Sequence, residues 1–205
     1  MDSCSQITLL ARFGEPVMQP LSYQILPCSC WVTSVLNGLL LLYGDKNRMS
    51  GLVYRFLHSV LTDEGVSTQG RARHDWITVM EAVQIRTGLR VRVFMGAEVE
   101  EAVRKLNFKK QVAVCDIFSG EHAILLTGKA NGWIEAFDPD WHNVKVRRER
   151  RNCYVVQPEG SKTCQRGLMN VLVDEDYLLL SGRGRKGEFQ MGAVVSRTLT
   201  VIERR

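Results

Sequence analysis

The hydrophobic period of this chain is mainly helical before residue 110 and mainly strand-like after it, and that change limits its fold more than any other feature. Before it, apolar residues recur at helical spacing. Trp31, Val35, Leu39 and Leu42 share one face, with Val32, Leu36 and Tyr43 beside them, and Gly44 stops the run. Ser50 as an N-cap, followed by Val53, Phe56, Leu57, Val60 and Leu61, predicts a second helix. Ile77, Met80 and Val83 predict a third over residues 75–87, closed by Gly88. Val99, Ala102, Val103 and Leu106 predict a short one over residues 98–106, after an alternating strand at residues 90–94. Beyond the change the chain reads in Val- and Ile-rich strands at residues 111–118, 122–127 and 133–137, with Asn131-Gly132 as a hairpin signal. Residues 6–10, 144–146 and 153–156 are further strand candidates, residues 168–180 suit a short helix and a strand, residues 182–187 read as a loop, and residues 189–202 read as one or two closing strands. Helices first and an antiparallel sheet afterwards predict an α+β fold, an N-terminal helical half packed on a C-terminal antiparallel β-sheet. No strong linker interrupts residues 1–205, so one domain is expected, with a weak boundary signal near residues 158–166.

Composition excludes several classes. With 205 residues, 45% of them hydrophobic, the chain can fill a sizeable core and does not read as disordered. Its most apolar window, residues 31–43, contains Thr33, Ser34, Asn37 and Gly38 and is too short to span a bilayer. The first residues show neither a basic stretch nor a long apolar one, so no signal peptide is read and the cytoplasm is the expected compartment, with delivery to another cell as the alternative. Six Cys without such a signal are expected as reduced thiols. The net charge of +5 tolerates an acidic partner without requiring one. The basic clusters, Arg147, Arg148, Arg150 and Arg151, then Arg183, Arg185 and Lys186, read more simply as solvated surface than as a nucleic-acid patch, because no aromatic residues interleave them.

The chemistry concentrates in Gln24-Ile25-Leu26-Pro27-Cys28-Ser29-Cys30-Trp31. Cys30 opens an amphipathic helix. The unpaired N–H groups and the macrodipole at a helix N-terminus favour thiolate over thiol, and the thiolate is the nucleophile in covalent catalysis. Gln24, six residues upstream across a loop that can fold back, can donate to an oxyanion beside the Cys30 N–H. In these residues the chain resembles the papain-like cysteine peptidases, whose signature is Gln, a short Gly/Ser/Cys-containing loop, the nucleophilic Cys and Trp directly after it. The resemblance implies Cys30 as nucleophile, Gln24 as oxyanion-hole donor and Trp31 packed beside the site. Cys28 stands where many members also carry a Cys.

A thiol of this kind needs a His to activate it and a group to orient the His. Ser119-Gly120-Glu121-His122-Ala123 opens an apolar strand ending in Thr127-Gly128, and the next strand ends in Ala136-Phe137-Asp138-Pro139. A four-residue turn at residues 129–132 would pair 128 with 133 and set His122 opposite 139, one residue from Asp138; a small register shift keeps them neighbours. The carboxylate would then hold the imidazole through Nδ1–H. Asp116 and Asp140 are the alternates for that role. This pattern resembles the branch of the superfamily that cuts double-glycine leaders from bacteriocin precursors, and its stand-alone relatives, because the papain branch proper usually carries Asn in the third position. The resemblance covers about residues 20–140; residues 160–205 are expected to be a C-terminal part of the same domain.

Each residue also has a plainer reading. Cys30 alone suits a buried structural thiol, His122 alone a surface loop, and Asp138-Pro139 a common turn. His58 suits a helix surface and His74 a cap, whereas His142, after Trp141, can line a substrate cleft. Cys28, Cys30 and a His make weak metal-ligand spacing, so no metal and no cofactor are expected. The leading expectation is therefore a thiol hydrolase acting on a peptide or protein substrate through Cys30, His122, Asp138 and Gln24, with Trp31 and His142 at the substrate. The alternatives are acyl transfer by the same residues, a transglutaminase-like reaction among them, and a non-catalytic binding module on the same fold. The sequence names no oligomeric state.

Overall fold

The structure, a computed structural model, describes residues 30–43, 81, 84–85, 87–139, 153–155, 171–181 and 189–204. It is built on helix α1 (Cys30–Tyr43), which carries apolar residues nearly all round its circumference. Every side chain described along α1 is buried except the half-buried Thr33. A helix without a polar face belongs in the interior, and this one lies there.

The helix packs on a seven-stranded sheet of β1 (Arg90–Met95), β2 (Gln111–Ile117), β3 (His122–Ala130), β4 (Trp133–Phe137), β5 (Cys153–Val155), β6 (Val171–Asp174) and β7 (Thr198–Glu203). The order across the sheet is β1-β7-β2-β3-β4-β6-β5, and every neighbouring pair is antiparallel. The α+β expectation holds in these elements.

Alternate residues of β2 and β3 enter different cores. Val112, Val114, Ala123 and Leu125 join Trp31, Val35 and Leu39 under α1. Ala113, Cys115, Ile124 and Leu126 face a second core with Val171, Val173, Phe189 and Val201, closed in part by Val99 and Val103 of α2 (Glu98–Arg104). A strand covered on both faces needs no polar alternation, and this explains the unbroken apolar runs. Gly38 permits the close approach of α1. A Cβ there would lie 3.1 Å from Val112 Cγ2 and 3.2 Å from Leu125 Cδ1.

Several expectations are corrected. The strand expected at 111–118 ends at Ile117, because Phe118 and Ser119 both take positive φ, 53° and 58°. The strand expected at 122–127 runs on to Ala130. The β3–β4 turn has two residues rather than four: Ala130 pairs with Trp133 across Asn131 and Gly132, whose φ values of 53° and 82° suit a tight hairpin. A bulge at Thr127 then shifts the ladder by one residue, so that Leu125 pairs with Phe137.

The carboxy-terminal part also differs from its expected form. Residues 189–202 are not one or two full strands; a single 3₁₀ turn at Val194–Ser196 precedes β7 alone. Gly192, at φ 79°, breaks the extended run. β7 inserts between β1 and β2, and β5 pairs with β6 across the weak boundary near 158–166, so residues 171–174 and 198–203 share one sheet with β2–β4. β6 leads directly into α3 (Glu175–Leu178), with the Asp174 carboxylate accepting from the Tyr177 N–H.

Glu81, Gln84, Ile85 and Thr87 are helical, and Gly88, at φ 68°, donates its N–H to Gln84 O at 2.9 Å, the predicted close of the third helix. The expected strands at 6–10 and 144–146, the second helix, the loop at 182–187 and both basic clusters lie outside the described residues. Among the described residues no helix is long and apolar enough to cross a membrane.

Candidate functional site

Cys30 is the first residue of α1 and His122 the first of β3. Two features bring these ends together. Gly38 seats the helix on β2 and β3, and the Ser34 hydroxyl, one turn after Cys30, donates to the Ala123 carbonyl at 3.4 Å. Asp138 follows directly on β4, the hairpin partner of β3. Its Oδ1 lies 2.8 Å from His122 Nε2. Asp138, not Asp116, therefore bonds the ring; Asp140 lies outside the described residues.

The Cys30 side chain also acts on the His122 ring, helping to hold its proton. Nε2 is the ring nitrogen turned to Asp138. This reverses the expectation that Nδ1–H meets the carboxylate. Asp138 lies just past the end of β4 and meets Nε2, the ring nitrogen farther from Cβ.

Burial sets the electrostatics. Cys30 is 7% exposed, His122 9% and Asp138 0%. Loss of solvent pushes the His122 imidazole down, but its hydrogen bonds to Asp138 and Cys30, and the negative charge they carry, outweigh that and raise its pKa from 6.5 to about 10. The ring is therefore an imidazolium at neutral pH, set between a sulfur and a carboxylate. Such a group can stabilise a thiolate and then protonate a leaving amine.

Trp31, 1% exposed, lies next to Cys30 in the apolar cluster that also holds Ala123 and Phe137. That wall excludes water and strengthens charge interactions near the sulfur. Gln24 and His142 lie outside the described residues.

The sequence reading missed three contributors. Phe118, read as a strand end, stacks on the His122 ring with centroids 6.0 Å apart and planes 14° apart. Ser119, in left-handed backbone, turns the chain from β2 into β3 immediately before His122. Ser34 had a visible signal, a polar residue four positions after Cys30 in a mostly apolar helix. The turn had a weaker one, Ser119-Gly120. Phe118 had none, because its ring contact depends on a fold-back of the chain.

Among the described residues no group of three His, Cys, Asp or Glu is arranged to hold a metal ion. No protein-family model, curated protein or solved structure matches this chain.

Proposed function

We propose that the protein is a papain-like thiol hydrolase that cleaves a peptide or amide bond through Cys30, His122 and Asp138. What supports the reading is one observation: a buried imidazole bonded to Asp138 through Nε2, its proton favoured also by the helix-opening Cys30. A structural Cys and a structural His have no need of each other, or of a carboxylate fixing the ring between them.

In the proposed reaction Cys30 Sγ, its proton held on His122, attacks the carbonyl carbon. The carbonyl oxygen takes the negative charge beside the Cys30 N–H, which belongs to the first turn of α1 and has no partner within the helix. Gln24 is the second donor implied by the papain-like pattern. His122 gives its proton to the leaving amine and the C–N bond breaks, leaving a thioester. Water then loses a proton to His122 and adds to the thioester, and departure of the sulfur releases the acid. Asp138 orients the ring throughout. Asp in that position, with Thr127-Gly128 ending the apolar run and Pro139 after it, points to the branch that resembles double-glycine leader peptidases, so the substrate class proposed is a small peptide or protein. An amine in place of water would turn the same thioester into a transferase product.

A thiol-directed electrophile with peptide mapping by mass spectrometry tests the reading. At pH 6 Cys30 is expected to be labelled at least tenfold faster than Cys4 or Cys164, and His122→Ala to remove the difference. Equal labelling, or a Cys30→Ala variant with full activity on a substrate cleaved by the wild type, would refute it.

A further inference from the structure

The backbone leading into His122 is held in a costly shape. Phe118 and Ser119 are both left-handed without being glycine. Each such residue costs on the order of 1 kcal/mol and persists only where surrounding structure imposes it. Here residues 189–192 impose it. The Phe118 N–H donates to Gln190 O at 2.8 Å and the Ser119 N–H to Met191 O at 3.3 Å. The Phe189 ring, fully buried, tilts against Phe118 at 6.3 Å on one side while His122 stacks on the other. Gly192 touches Ser119 so closely that a Cβ at 192 would come within 3.0 Å of the Ser119 nitrogen and closer still to its Oγ.

The segment is itself anchored. Arg197 is 2% exposed; its Nε donates to Gly192 O at 3.1 Å and its guanidinium also to Leu179 O. The Met191 N–H donates to Leu178 O at 2.9 Å. A buried guanidinium that bonds two backbone carbonyls, with Glu100 Oε2 at 3.9 Å as its counter-charge, fixes where those carbonyls lie. The path from Arg197 through Gly192 and Ser119 ends at the imidazole.

We infer that residues 189–192, clamped by Arg197, are a positioning element for His122: they force the Phe118–Ser119 turn that aims the ring between Cys30 and Asp138. The inference rests on the reading of His122 given above and adds Gly192, Phe189 and Arg197 as positioning residues that act through Phe118 and Ser119.

The closing experiment uses Gly192→Ala, the double variant Gly192→Ala/Ser119→Gly and Phe189→Leu, each in the full chain. The readouts are the His122 ring titration by NMR and the rate of Cys30 alkylation by iodoacetamide at pH 6, with thermal unfolding recorded beside them. Gly192→Ala is expected to lower the His122 pKa by one or more and, separately, to slow alkylation about tenfold, because a ring turned off the sulfur no longer stabilises its thiolate even while it stays protonated at pH 6. Ser119→Gly removes the obstructing hydroxyl and the left-handed penalty at 119, so the double variant is expected to regain part of the loss, the rest being the new alanine's own strain at φ 79° and its contact with the residue 119 backbone nitrogen. If Gly192→Ala does not fold, Phe189→Leu carries the same expectation through the ring stack. A lowered melting temperature with His122 titration and Cys30 rate unchanged would mean a merely structural role and overturn the inference, as would a double variant no better than the single. Failure of the functional reading looks different: the wild-type Cys30 rate would then be indifferent to His122→Ala, whatever happens at residue 192.

Discussion

Replacing Asp138 by Asn tests the electrostatic core of the site with almost no change of shape. The Asn Oδ1 can still accept from His122 Nε2–H, but the negative charge is gone. Burial then goes on pushing the imidazole pKa down, and only Cys30 opposes it. In the wild type the rise from 6.5 to about 10 favours the charged ring by roughly 5 kcal/mol, at about 1.4 kcal/mol per tenfold. A group whose folded pKa lies above its unfolded value stabilises the fold fully below the unfolded value and loses that stabilisation as pH rises through the folded one. The window here is therefore pH 6.5 to about 10. If Asp138 supplies half or more of the effect, the stability gap between wild type and Asp138→Asn narrows by roughly 2–3 kcal/mol from pH 6 to pH 10. Urea unfolding at pH 6, 8 and 10 measures the gap, and histidine NMR follows the ring directly. A gap constant to within about 0.5 kcal/mol over that range, or a wild-type His122 that titrates at or below 6.5, would refute the reasoning.

Other consequences follow from the same geometry. Hydrolysis of a substrate is expected to fall above about pH 10 as His122 loses the proton meant for the leaving amine, while alkylation of Cys30, which needs no such proton, continues; stopped-time assays of both reactions over pH 8–11 compare them. Cys115 is fully buried and its thiol is pushed well above the ordinary range, by burial first and Asp116 second, so intact-mass labelling should leave it unmodified until the protein unfolds. Gly38→Val sets methyl groups into a space already within 3.1 Å of Val112 and 3.2 Å of Leu125, and is expected to cost about 2 kcal/mol, seen as a lower urea midpoint. Lys129→Ala strips the Lys129–Glu175 pair, 2.6 Å apart, and leaves a carboxylate only 10% exposed, at an expected cost of about 1–3 kcal/mol that Lys129→Met/Glu175→Gln should partly recover in the same assay.

The fold was legible where one period dominated. The α1 residues and those of β2–β4 carry an apolar pattern strong enough to place every element to within a few residues. Apart from the length of the β3–β4 turn, the places it failed depend on contacts far along the chain. The strand expected to reach Phe118 stops short because residues 190–191 capture the Phe118 and Ser119 N–H groups. The position of β7 between β1 and β2 is a matter of long-range pairing, which local sequence does not encode. The candidate site was partly legible for the same reason. His122 and Asp138 lie in one hairpin, and hairpin pairing is local enough to infer. The turn length was wrong by two residues and the bulge at Thr127 absorbed one of them, leaving the pair within bonding distance. The ring nitrogen could not be read at all, because it depends on where α1 lies over the sheet.

That last dependence explains why Cys30 and His122 meet despite their separation in sequence. A helix laid on a sheet has two freedoms that decide which residues meet, a slide along its axis and a rotation about it. Rotation is poorly determined by apolar packing here, because α1 is apolar nearly all round. Gly38 removes that freedom: it is the only residue of α1 without a side chain, and only its face can come so near Val112 and Leu125. Ser34 limits the slide, because its hydroxyl is buried and finds the Ala123 carbonyl at one axial position. Ser34 lies one helical turn from Cys30, and Ala123 is the neighbour of His122. The bond that satisfies the hydroxyl therefore sets the sulfur beside the ring. A Ser34→Ala variant should accordingly keep the fold and lose registration: an unfolding cost of about 1 kcal/mol with a drop in Cys30 alkylation at pH 6 well beyond what that cost explains. A variant that alkylates at the wild-type rate would show that the slide is set elsewhere.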